Sequence, residues 1–289
     1  MRFWTRVAVS FLALAFTVGL AVTPADAASK KSKKKKETKK ETKKEVKKET
    51  RHSSGGKHVI SGGNLMGRPG YIFSDTATTL DKGQVMGSAH LTFDSWGSVF
   101  QIPVGVSYGI TDKLQLNANT SFYSVTGASG LNFLNFGGKY GFDTSNRNLG
   151  IAAGIDLGFG PLSNALGTGF FTFDPYGVVT YTLPDGLQLN GKLGLYVQTY
   201  SYTVLNYTFS GSWSFFQLDL GMAYPFDSNL TGFAELATNG VVNGGGLGGT
   251  PLLVGIRTGK DVQFQAFGGL DFGAATGAFI GGGVVLLSK

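Results

Sequence analysis

Ser88 and His90 stand two residues apart. That spacing puts both side chains on one face of a β-strand, where a hydroxyl nucleophile could meet its general base. Acyl transfer also needs a third group to orient the base, and no residue offers itself by spacing. Gly244, Gly245, Gly246, Gly248 and Gly249 form a glycine-rich run. Loops of this kind cradle phosphate, but here no Gly-Lys-Ser/Thr follows and no helix is predicted behind it. Cysteine is absent, and the histidines are His52, His58 and His90. Disulfides and thiolate chemistry are therefore excluded, and neither a metal site nor a cofactor is expected. Ionisable residues are instead scattered singly: His90, Lys139, Asp156, Asp174, Lys192, Asp219, Glu235, Arg257 and Asp271, with the amides Gln115 and Asn117 among them.

Periodicity says what positions them. Leu114, Leu116, Ala118, Thr120 and Phe122 alternate with Gln115, Asn117, Asn119, Ser121 and Tyr123. Leu187, Leu189, Leu193, Leu195 and Val197 likewise oppose Gln188, Asn190, Lys192, Tyr196 and Gln198. An apolar and a polar face at period two describe a half-buried strand. Twelve such strands are predicted, near 83–94, 99–110, 113–124, 131–142, 149–160, 168–182, 186–202, 213–226, 229–238, 250–259, 261–272 and 277–288. Most exceed the roughly 5–6 residues of soluble strands and reach the ~9–11 needed to cross a bilayer at a tilt.

Short polar turns at Thr111-Asp112, 143–148, Pro184-Asp185, Asp227-Ser228 and Lys260-Asp261 alternate with longer links at 94–98, 124–130, 161–169, 204–212, 239–249 and 274–277. That is the rhythm of an up-and-down barrel with short periplasmic turns and longer external loops. Tyr108, Phe142, Tyr181, Tyr224 and Phe226 precede the short turns, and Phe93, Phe122, Phe159, Phe170, Tyr200 and Trp213 lie toward the long links. Two aromatic girdles are expected from this, with no aromatic band at mid-strand. The expected fold is all-β, a transmembrane antiparallel β-barrel of about 12 strands. Alternation places His90, Gln115, Asn117, Lys139, Asp156, Asp174, Lys192, Asp219, Glu235, Arg257 and Asp271 on the lumen face. A Lys or Arg turned to mid-membrane lipid would instead cost ~2–4 kcal/mol. Twelve tilted strands about 4.8 Å apart give a backbone diameter of roughly 25 Å, or ~10–13 Å once side chains enter. Ser88 and His90 then read as a polar lumen pair rather than an active site, and no enzyme is expected.

The remaining chain explains the charge. Of 289 residues 45 are Gly, only 15% are charged, and the formal charge is +7. Arg2 and Arg6 precede an apolar run from Val7 to Val22, then Pro24 and Ala25-Asp26-Ala27. Residues 1–27 read as a cleaved secretory signal peptide. Residues 28–56 are a Lys/Glu-rich segment, with twelve Lys, Arg51 and four Glu between 28 and 51. Everything after 51 carries a net −3, so a basic nucleic-acid-binding body is excluded. With Val46 its one apolar residue past the small residues at its start, the segment has no face to bury, and disorder in the periplasm is expected. It reads either as a solvated spacer or as an electrostatic contact from Lys30–Arg51 to an anionic cell-wall or lipid surface. Residues 57–79 form a lead-in, and 80–289 the outer-membrane barrel.

The stretch Tyr108-Gly109-Ile110-Thr111-Asp112-Lys113-Leu114-Gln115-Leu116 resembles the YGLTDRLEL-type strand-turn-strand unit of Gram-negative outer-membrane barrels. These are grouped with transporters and with the phenol meta-pathway degradation family. Thr79-Leu80-Asp81-Lys82-Gly83-Gln84 is similar to the segment that opens their first strand. The likeness spans roughly residues 76–289 as architecture. The chain departs from the common pattern at its end, Val284-Val285-Leu286-Leu287-Ser288-Lys289, where many such barrels carry Phe or Trp. The resemblance implies uptake of small, aromatic or hydrophobic solutes through a porin-like barrel seated in outer-membrane lipid. A structural or adhesion barrel with a filled lumen, binding through its loops or basic tail, is the alternative.

Overall fold

A computed structural model describes residues 62–65, 67–95, 99–125, 128–160, 169–204, 207–241, 251–272 and 277–288. The expected signal peptide, the Lys/Glu-rich segment and the glycine run at 244–249 lie outside the described residues. Two short strands come first, β1 (Gly62–Gly63) and β2 (Pro69–Gly70). Twelve long ones follow: β3 (Val85–Asp94), β4 (Val99–Gly109), β5 (Leu114–Val125), β6 (Ala128–Phe142), β7 (Leu149–Gly160), β8 (Gly169–Thr182), β9 (Gln188–Val204), β10 (Tyr207–Pro225), β11 (Leu230–Val241), β12 (Pro251–Gly259), β13 (Val262–Asp271) and β14 (Gly277–Leu287).

Strands β3 to β14 form a closed barrel in which each pairs antiparallel with its neighbours in sequence. Closure is made between β14 and β3, from Phe279 opposite Asp94 to Leu287 opposite Met86. No barrel strand is left as an edge, which satisfies the backbone in a medium without water. Alternation fixes the faces. Leu193 is 59% exposed and Ile280 64%, whereas Lys139 is 0% and Glu235 2% exposed. Apolar side chains outside and charges inside invert a soluble protein and suit a lipid surround.

Three details differ from the sequence reading. The links at 124–130 and 204–212 are mostly strand: β5 and β6 leave only 126–127 between them, and β9 and β10 only 205–206. Ser, Thr and Gly blur the alternation there, but backbone pairing such as Thr208 opposite Thr203 continues the hairpin. The aromatics are not confined to girdles either. Phe136 and Phe216 are exposed on the outer face in the middle of their strands, where lipid accepts any apolar ring. Finally, Phe170 and Tyr200 sit opposite each other on the inward register of β8 and β9, the face that carries Asp174 and Lys192.

Candidate functional site

The described part of the lead-in, 62–65 and 67–79, is inside the barrel. Residues 62–80 form a compact knot built on a tiny hairpin, Gly62 opposite Gly70 and Gly63 opposite Pro69. Asn64 closes its turn, donating from N to the Arg68 carbonyl at 2.8 Å and accepting from Arg68 N at Oδ1, 3.0 Å. Gly67 adopts φ 73° at the tip. A Cβ there would run into the backbone of Gly105 on β4, so glycine is required both for the conformation and for the approach to the wall. Gly221 plays the complementary part on β10, because a side chain there would collide with the Tyr71 ring.

This plug meets every strand of the barrel. Ser88 (β3) donates to the Asn64 carbonyl at 3.2 Å, and Ser107 (β4) to the Gly67 carbonyl at 2.7 Å. Gln115 (β5) accepts from Leu80 N at 3.2 Å, and Lys139 (β6) donates to the Thr76 carbonyl at 2.8 Å. Arg68 pairs with Asp156 (β7), lies 3.0 Å from the carboxylate of Asp75, and donates to the Tyr176 hydroxyl (β8) at 3.1 Å. Tyr71 donates to Gln188 (β9) at 3.1 Å. Arg257 (β12) donates to the Gly70 carbonyl and Gln265 (β13) to the Gly63 carbonyl, both at 3.1 Å. Apolar contacts complete the ring: Tyr71 and Ile72 pack with Ala223 (β10), Phe233 and Leu253, and Phe73 meets Phe279 (β14) edge-on at 5.8 Å.

Glu235 on β11 is the densest anchor. One carboxylate oxygen accepts from Ile72 N at 2.8 Å and Phe73 N at 3.1 Å. The other accepts from Ser74 N at 2.9 Å and Ser74 Oγ at 2.6 Å. Four donors converging on a buried carboxylate compensate its lost hydration.

Of the lumen residues expected from sequence, His90, Gln115, Asn117, Lys139, Asp174, Lys192, Asp219, Glu235 and Arg257 are buried, and Asp156 and Asp271 share the inward register. Five of the eleven, Gln115, Lys139, Asp156, Glu235 and Arg257, are engaged by the plug rather than facing an open lumen. Ser88 is committed to Asn64, while His90 Nε2 lies 3.0 Å from Gln265 Oε1. The pair therefore does not form the contact that nucleophilic catalysis needs. Sequence reasoning missed Arg68 and Asp75, because neither belongs to an alternating run.

On the β8–β10 wall the plug reaches Tyr176, Asn190 and Gly221, and the strands continue past these residues. That stretch of inner wall carries aromatic rings. Tyr196 stacks on Phe215 at 4.8 Å, and Trp213 meets Phe215 edge-on at 5.9 Å. Phe170 and Tyr200, paired across β8 and β9, continue the inward register beyond them. Among these rings, Lys192 Nζ lies 3.9 Å from both Asp174 and Asp219 and 4.8 Å from the Tyr176 ring centroid.

A closed, charge-filled barrel with an apolar exterior defines the class: the chain has the fold of outer-membrane β-barrels. The NanC porin superposes with a TM-score of 0.55 at 9% identity, covering 69% of this chain and 98% of that one. An outer membrane channel from Pseudomonas putida F1 superposes with a TM-score of 0.55 at 13% identity, covering 75% and 100%. The KdgM porin reaches 0.51 at 13% identity, covering 70% and 98%. No protein-family model matches the chain, and no curated protein matches it in sequence.

Proposed function

We propose that the protein is a passive outer-membrane channel for small solutes with an aromatic or hydrophobic body, closed at rest by residues 62–80. The observation that carries this reading is the aromatic inner wall of Trp213, Phe215 and Tyr196, which leads from the rim toward the plug. A structural barrel would have no use for a ring-lined approach that ends at a plug. The plug itself is fastened through hydrogen bonds and ion pairs, which exchange readily with water and solute, more than through a continuous apolar core. The complete fit to all twelve strands favours the filled structural barrel as the second reading.

Single-channel recording in planar bilayers separates the two. Rare discrete openings are expected from the whole chain, and 2-phenylethanol on the external side should interrupt the open current. Replacement of Phe215 by Ala should shorten those interruptions. Absence of any opening, with the plug anchors intact or weakened, would establish the structural reading instead.

A further inference from the structure

The wall around Arg68 is shaped by residues that do not belong to the plug. Asp156 on β7 lies across β6, because its register partner there is Gly137; a Cβ at that glycine would collide with the carboxylate. The Tyr176 ring on β8 lies in the same way across Gly154 of β7. Asn117 on β5 donates from Nδ2 to Asp156 Oδ1 at 3.2 Å, and Oδ2 is left to the guanidinium of Arg68. Arg68 Nη1 meets that oxygen and donates to the Tyr176 hydroxyl at 3.1 Å, with Cζ 5.3 Å from the ring centroid. A carboxylate, a hydroxyl and a ring together suit a planar cation with forked donors. All three stand on the barrel wall, so the seat outlasts the departure of the plug.

The neighbouring charges favour a cation there. Asp156 stands directly opposite Asp174 in the β7–β8 register, and like charges so placed are destabilising. Asp174 shares the single ammonium of Lys192 with Asp219, at 3.9 Å from each. Lys139, a diagonal step away on β6, is turned to the Thr76 carbonyl. Asp156 therefore takes its cation from the plug. The seat also borders the lumen: the Arg68 side chain is 2% exposed, but that of Asp156 is 14% exposed, and an inward side chain meets solvent only there. A solute in the lumen can thus touch the carboxylate that holds Arg68.

We propose that Asp156 and Tyr176 form a binding site for the guanidinium group of a small solute, a site that Arg68 fills in the closed state, so that such a solute competes with Arg68 and frees the plug. This deepens the proposed function and rests on its displaceable plug. Single-channel recording of the whole chain tests it with external methylguanidinium at millimolar concentration, against the same concentration of tetramethylammonium, a cation without donors. A ligand that binds only the vacated seat raises the ratio of displaced to seated plug in proportion to its concentration, about tenfold at ten times its Kd. Open probability should rise accordingly with methylguanidinium and stay unchanged with tetramethylammonium. Arg68→Ala should raise the basal open probability and abolish the response, since a seat free in both states gives the ligand no preference between them. Asp156→Asn should abolish the response by removing the carboxylate. Heat-modifiable migration confirms that each variant is folded. Openings that methylguanidinium favours no more than tetramethylammonium, or a response that survives either substitution, would overturn the site while leaving the channel standing. Absence of openings in the whole chain and in both variants would overturn both.

Discussion

Glu235→Gln is the substitution that reads the plug most directly. The two carboxylate oxygens each accept two hydrogen bonds, one from Ile72 N and Phe73 N, the other from Ser74 N and Ser74 Oγ. A glutamine amide keeps the shape but must present its NH2 to one of those pairs. Turned toward Ile72 and Phe73 it opposes two backbone donors. Turned toward Ser74 it opposes one, because the hydroxyl can rotate and accept. The cheaper orientation therefore loses one charge-assisted bond, about 1.5–3 kcal/mol. If the plug is in equilibrium with a displaced form, that loss raises the displaced fraction ~10–100-fold. Open probability in planar bilayers is the readout, taken on protein that still shows heat-modifiable migration. An open probability unchanged in folded Glu235→Gln protein would refute the idea that this carboxylate holds the closed state.

Four further outcomes follow from the geometry. Leu116, exposed on the outer face of β5, should not tolerate Lys: a charge there costs ~2–4 kcal/mol at mid-membrane, and the heat-modifiable folded form should be lost. Cysteines at Asp185 and Ser210, at opposite ends of β9 and β10, should label from opposite sides, with only Ser210→Cys reacting on intact cells; the reverse result would invert the topology. The inward charges, six acids (Asp94, Asp156, Asp174, Asp219, Glu235, Asp271) against Lys139, Lys192 and Arg257, leave an excess of three negatives that the Arg68 and Asp75 of the plug do not alter. Open channels should therefore favour cations, and an anion-selective reversal potential across a salt gradient would contradict this. Finally, hydrogen bonds from Asn229 N and Leu230 N at 2.6 and 2.8 Å hold the Asp227 carboxyl below its usual range. A depressed carboxyl stabilises the folded turn above the ordinary carboxylate range and loses that contribution as pH falls through its lowered value. The acid-side drop in unfolding temperature should therefore shrink in Asp227→Ala, and identical pH profiles would exclude the turn as a source.

The barrel was legible in the sequence because a strand's faces follow from local alternation. Predicted limits such as 149–160 and 168–182 fall within a residue or two of β7 and β8. The plug was not legible, since its partners are supplied one at a time by strands far away in the chain. Asn64, Arg68 and Asp75 sit in a run of Gly, Ser and Thr with no period. The signal lay on the wall instead. Lys139, Glu235 and Arg257 are single inward charges with no opposite charge beside them on their own strands, and a buried charge demands a partner from somewhere. Small inward residues such as Gly105, Gly154 and Gly221 likewise marked where the wall gives way. Asp156 and Tyr176 could be placed on a face by alternation, but their meeting around Arg68 depends on the register between β7 and β8.

The seam between β3 and β14 joins the two ends of the barrel's sequence, Val85 and Leu287. That pairing spans more sequence than any other in the barrel, and without it the sheet would keep two unpaired edges. The plug precedes all twelve strands but takes at least one contact from each, and its seat is complete only after the seam has formed. The full set of plug contacts therefore exists only in the closed barrel. Without the plug, Asp156 would lose Arg68, and Glu235 would lose its donors from residues 72–74. The plug thus fastens the two sides of the seam to each other, through Ser88 on β3 and Phe279 on β14.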